Sequence, residues 1–161
     1  MTDDISKQQA KILIERAQRH QMKGEYADAI LLYRRSLALQ PTAEAFTFLG
    51  WTYGMMNRYH EAIDSCKLAI EVDDTFGNPY NDIGAYLIEL SRWEEAIPWL
   101  EKAIAATRYE AKQFPYMNLG RVYEHLGRYG TALNYFERAL EIDPHDLASV
   151  WAMYQLVGRL N

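Results

Sequence analysis

Apolar and polar positions along this chain alternate with a helical period, and the same block of pattern returns four times. Phe46, Leu49, Gly50 and Tyr53 fall at i, i+3, i+4 and i+7, one stripe of an α-helix. Ala62, Cys66 and Ala69 form a small-residue stripe on the helix that follows. Ala29, Ala62, Ala96 and Ala132, each followed by Ile or Leu, repeat the second stripe at intervals of 33, 34 and 36 residues. Twelve residues before them lie Ala17, Gly50, Gly84 and Gly120; four residues after them lie Tyr33, Cys66, Leu100 and Phe136. A period near 34 describes a two-helix unit copied end to end, so the chain reads as a stacked solenoid.

The pattern predicts first helices near 7–22, 43–56, 77–90 and 112–126, and second helices near 26–39, 60–72, 94–106 and 130–141. A final helix is predicted near 146–160. Lys23-Gly24-Glu25, Met56-Asn57-Arg58, Leu90-Ser91-Arg92 and Leu126-Gly127-Arg128 read as tight turns inside the units. Gly within a helix costs about 0.5–1 kcal/mol relative to Ala, so its return at one register signals close approach of two helix axes. Ser6 with Gln9 is placed to form a capping box at the first helix start. Two irregularities stand out. Pro98 sits early in a second helix, where it is either accommodated near the first turn or bends the rod. The interval of 36 residues predicts a looser or distorted junction over Thr107–Gln113.

Tyr116-x-x-Leu119-Gly120-x-x-Tyr123, followed by Gly127-x-Tyr129, Ala132, Phe136, Ala139 and Pro144, resembles the tetratricopeptide repeat (TPR) family. The resemblance implies an all-α fold, a right-handed α-α solenoid of four helix pairs with a C-terminal capping helix. It implies one domain over 1–161, with units at about 10–42, 43–76, 77–112 and 113–146 and the terminal helix at 146–160. TPR modules that clamp the carboxy-terminal tails of chaperones carry Lys and Asn one helical turn apart in the first unit. Ile14 and Gln18 occupy those places here, which disfavours that role.

Composition adds mostly exclusions. A net charge of −5 argues against nucleic acid as a partner, because such binding rests on clustered cations. The charge is uneven, +2 over residues 1–40 and −7 over the rest, which suits an oriented partner or head-to-tail contacts. No apolar run approaches the length of a membrane helix, so no membrane insertion is expected. The N-terminus lacks a basic-then-apolar leader pattern and Cys66 is a lone cysteine, so the cytoplasm is the expected compartment. Cys66 shares its register with Tyr33, Leu100 and Phe136 and reads as a packing residue, not a nucleophile. His20, His60, His125 and His145 are scattered, and neither metal-ligand spacings nor phosphate-cradling glycine loops occur. The expectation is a non-enzyme without a cofactor.

The candidate functional surface is the concave side of the first helices. Phe48, Trp51 and Met55 make an apolar line on the side of their helix turned away from its core stripe, where a helix in water is normally polar. They read either as anchors for a partner or as packing against neighbours such as Ile14 and Met22. The same side carries Asn78, Asn81, Asp82 and Ile88 in the third unit, and Phe114, Met117, Asn118, Arg121 and His125 in the fourth. Asp82 and Asn118 align with Phe48, and amide or carboxylate groups there suit the main chain of an extended peptide. Arg121 offers a fork for a partner carboxylate. The expected partner is a peptide or an amphipathic helix.

The terminal helix gives a second reading. Its apolar residues, including Trp151, Met153, Leu156 and Leu160, spread over more than half of its circumference, and Tyr154 stands in the register of Gly50, Gly84 and Gly120. That helix either closes the core as a cap or forms a self-association surface, making a homodimer.

Overall fold

The computed structural model describes residues 1–161 as nine helices without strands. These are α1 (Thr2–Met22), α2 (Tyr26–Leu39), α3 (Ala43–Met55), α4 (Tyr59–Val72), α5 (Asn78–Glu89), α6 (Trp93–Ala105), α7 (Gln113–His125), α8 (Tyr129–Ile142) and α9 (Leu147–Leu160). Within each of the four pairs one residue of the turn takes left-handed backbone: Gly24 (φ 77°), Asn57 (59°), Ser91 (58°) and Gly127 (75°). One conformation at one register reverses the chain each time, which is why the four pairs are alike.

The recurring glycines sit where the spacing placed them, at the crossings. A Cβ on Gly50 would stand 3.0 Å from the Ala62 carbonyl oxygen, and one on Gly120 would stand 2.5 Å from the Phe136 ring. Cys66 is buried against Gly50, and burial pushes its thiol well above its ordinary range, as does the nearby Asp82. The apolar stripes form one continuous core from Leu13 to Val122, followed by a smaller cluster of Ala132, Phe136 and Leu156 beneath α9.

Neighbouring units touch in a lopsided way. The first helices contact one another in sequence, α1 with α3, α3 with α5, α5 with α7 and α7 with α9. The backbones of the second helices α2, α4, α6 and α8 stay apart from one another, and only long side chains such as Lys67 of α4, over the Trp99 ring of α6, reach across. The stack therefore curves inward on the first-helix side, which becomes the concave face.

Three local expectations need correction or completion. The first helix begins at Thr2 rather than Lys7, and no side chain caps it. Ser6 and Gln9 thus lie inside the helix, whose first turn carries Asp3 and Asp4, with Asp3 paired to Lys7 at 2.7 Å. Pro98 leaves α6 continuous, with its ring on the exposed side. The Thr107–Gln113 junction is irregular but anchored. Arg108 donates its N–H to the Thr75 carbonyl at 3.0 Å, and its own carbonyl accepts from Gly77 at 3.2 Å. Tyr109 is buried over Gly77, and the Arg108 guanidinium reaches Glu44 at 2.8 Å and Asp73 at 3.0 Å. The two extra residues clasp the turn before α5.

Candidate functional site

The inner face is two surfaces side by side. On α3, Trp51 and Met55 are each 53% exposed, and Met22 at the end of α1 is almost wholly so. Phe48, one turn before Trp51, is half-buried and stacks on Tyr33 with ring centroids 6.0 Å apart. The predicted apolar line is therefore divided. Phe48 holds α3 to α2, and Trp51 and Met55 are left to solvent.

On α5 and α7 the inner face is polar and internally paired. Asn118 donates from Nδ2 to Asn81 Oδ1 at 3.1 Å, and Arg121 donates to Asn118 Oδ1 at 3.3 Å. Arg121 also faces Glu89 at 3.9 Å, and Arg159 of α9 pairs with Glu124 at 3.1 Å. Both asparagines are buried. Asp82 is half-buried next to Asn81, and loss of water pushes its carboxyl up to about 7 despite the neighbouring amide. The result is a chain of contacts Asn81–Asn118–Arg121–Glu89 across the α5–α7 seam, with Asp82 beside its start.

The remaining predicted positions fall into distinct surroundings. Asn78 is half-buried at the start of α5, and Phe114 at the start of α7 is exposed. Met117 is half-buried against the Phe136–Leu156 cluster. Ile88 is buried in the continuous core at 3% exposure, so it presents nothing to a partner. Gly54 holds the same register in α3, and there Tyr86 reaches across from α5: a Cβ on Gly54 would stand 2.6 Å from its ring. His125 stacks on Trp93 at 4.0 Å, beside the α5–α6 turn, away from Trp51.

Tyr86 escaped the sequence reading. Its ring is buried between α3 and α5, its hydroxyl has no hydrogen-bond partner, and burial raises its pKa strongly. The available signal was Gly54, a small residue on the groove side opposite a large one in the next unit.

On α9, Trp151 and Leu160 are exposed and Met153 is half-buried, whereas Leu156 is fully buried against Ala132 and Phe136. Leu156 therefore closes the core and is removed from the self-association set. No helix is long and apolar enough to cross a membrane.

Models of the tetratricopeptide repeat match residues 10–43, 43–76 and 76–145 in succession. The chain belongs to the tetratricopeptide repeat family. It is 27% identical over 81 residues to the small glutamine-rich tetratricopeptide repeat-containing protein 2 of Mycosarcoma maydis, spanning 50% of this chain and 23% of that one. The chain thus spans less than a quarter of that curated relative. Among solved structures, Pseudomonas aeruginosa pilF superposes with a TM-score of 0.88 at 22% identity, covering 99% of this chain and 71% of that one. The first TPR of Spaghetti (RPAP3), bound to the HSP90 peptide SRMEEVD, superposes with a TM-score of 0.68 at 20% identity, covering 74% and 93%. At these identities the structural likeness speaks for the fold. TPR repeats of this kind bind protein or peptide partners, and their general role is that of scaffolds.

Proposed function

We propose that the concave face of this TPR protein is a non-catalytic docking groove for a peptide or an amphipathic helix, anchored on Trp51 and Met55. The observation that carries the reading is the exposed apolar pair Trp51 and Met55 on a first helix, the helices that line the concave side. Large apolar side chains gain free energy when a partner covers them, at roughly 25 cal/mol per Å² buried. Trp is also the residue most enriched among binding hot spots. Methionine side chains such as Met55 adapt to partners of different shape.

The partner has apolar anchors rather than a clamped chain-end carboxylate. Ile14 and Gln18 supply no cation, and Ile14 packs against the core. The α5–α7 amides bind a main chain by exchanging their present partners for it, so they orient a ligand more than they hold it.

The test is selection of a displayed random-peptide library on the wild-type protein, followed by affinity measurement on Trp51→Ala. Selected peptides carry aromatic or aliphatic anchors, and their Kd rises roughly 30-fold or more on the variant, in line with loss of about 2 kcal/mol at a hot spot. Peptides that bind both proteins equally would refute the groove reading.

A second reading, in which the chain assembles with itself, is favoured by one observation. The flank of α9 that lacks a packed neighbour is apolar along its length.

A further inference from the structure

Each unit closes the turn between its two helices in one way, and the second unit shows what fills that turn. The Arg58 N–H donates to the Tyr53 carbonyl at 2.9 Å. Its guanidinium lies 4.9 Å over the Tyr53 ring, and its Nε donates to Glu61 at 3.0 Å. A fixed cation thus sits between a ring and a carboxylate. In the third unit Arg92 pairs with Glu95 at the same register, and the fourth keeps the arginine as Arg128.

The first unit keeps the backbone and inverts the charge. Glu25 stands at the register of Arg58, Arg92 and Arg128, and its N–H donates to the His20 carbonyl at 2.9 Å. His20 takes the place of Tyr53, and Asp28 that of Glu61 and Glu95. No Lys or Arg pairs with Glu25 or Asp28; the Glu25 carboxylate instead meets Nδ1 of His20. One imidazole nitrogen and two carboxylate oxygens therefore lie within 4.8 Å of one another, at the register where the other three units carry a guanidinium. The spacing His20-x-x-x-x-Glu25-x-x-Asp28 is not a standard ligand motif, and it is the left-handed turn at Gly24 (φ 77°) that brings the three together.

We propose that this turn holds a divalent first-row transition ion, with His20, Glu25 and Asp28 as its three protein ligands. The ion brings from solution the positive charge that Arg58 and Arg92 supply covalently in their own units. One nitrogen with two oxygens suits zinc and its neighbours, whereas magnesium and calcium prefer oxygen alone. Zinc bonds of about 2.0–2.2 Å put tetrahedral ligand atoms roughly 3.3 Å apart, so the three groups must close in slightly. Side-chain rotation achieves this, because Glu25 and Asp28 are exposed and His20 is half-buried. The remaining coordination position is left to water. Once bound, the ion staples the end of α1 to the start of α2.

Isothermal titration of the tag-free protein with ZnCl2 tests the site. One ion binds per chain, with a Kd in the range of about 0.1–100 µM. His20→Ala and Glu25→Arg each weaken binding by more than about 10-fold, since losing even an outer hydrogen-bond partner of a ligand costs that much. Glu25→Arg is the decisive variant, because arginine is what the chain itself uses at that register. It rebuilds an ion pair with Asp28, so its helical circular dichroism matches that of the wild type. His60→Ala binds zinc like the wild type, His60 being an exposed histidine outside the turn. In proton NMR, zinc shifts the imidazole resonances of His20 and leaves those of His60, His125 and His145 in place. Excess MgCl2 does not compete. An absence of zinc binding overturns the proposal and leaves the His20–Glu25 hydrogen bond as the whole of the contact. Binding that survives Glu25→Arg undiminished, or that falls equally with His60→Ala, assigns the zinc to isolated surface histidines and overturns it as well.

Discussion

The α1–α3 half of the inner face and the α5–α7 half are built from the same repeat unit but leave opposite kinds of group available. On the first, Met22, Trp51 and Met55 are exposed, apolar and without partners. On the second, Asn81, Asn118, Arg121 and Glu89 are polar and already joined to one another, with Asp82 alongside. Covering the first half removes apolar surface from water, a net gain. Occupying the second half exchanges one set of hydrogen bonds for another, which is close to neutral. Affinity is therefore expected from the α3 side, and register or direction from the α5–α7 seam.

The largest test of that contrast is the Trp51→Ala comparison, with its loss of about 2 kcal/mol in peptide affinity and little change in folding stability. Asn118→Leu works in the other direction. It leaves Asn81 and Arg121 without their buried partner and lowers unfolding free energy by about 1–3 kcal/mol, read from urea denaturation. Peptide affinity falls far less than with Trp51→Ala. A larger affinity loss from Asn118→Leu than from Trp51→Ala would invert the division of roles.

Asp82 gives the seam a pH dependence with a definite sign. Its folded-state pKa of about 7 lies above its ordinary value of 3.8, so between those values the folded chain holds more protons than the unfolded one. Its contribution to stability is greatest below pH 4, declines as pH rises through that window, and is lost above about 7. Asp82→Asn should therefore raise the urea midpoint at pH 8 and make no difference near pH 4. An unchanged midpoint at pH 8 would mean that the carboxyl is well solvated. The smallest effect belongs to Arg121→Ala. Its 3.9 Å approach to Glu89 involves two substantially exposed groups, and such pairs contribute under about 1 kcal/mol. Stability should move by less than that and become less sensitive to salt, while a peptide's preferred orientation in the groove, read by fluorescence from a label on either end, should be lost.

Much of the architecture was legible along the chain. Helix ends from α2 to α9 fall within a residue or two of the pattern, because turn residues and stripes are local. The start of α1 was not, since Ser6 and Gln9 make a plausible cap only if nothing upstream continues the helix. Asp3 and Lys7 do continue it. The long junction read as slack because two extra residues say nothing about what they touch, and Arg108 ties them down across the unit boundary. The site was less legible than the scaffold. Ile88 and Trp51 both sit on the groove side of a first helix, yet one is buried and the other open. The difference lies in the neighbouring unit.

The sequence by itself determined the unit, its number, its turns and its close crossings, because each depends on residues within one helix pair. Tertiary structure decided which groove residues remain exposed, that Asn81 meets Asn118 across 37 positions, and that Leu156 closes the core while Tyr154 stands open beside it. Those outcomes depend on how one unit leans on the next. That angle is set by packing between helices distant in the chain, so no period along the chain records it.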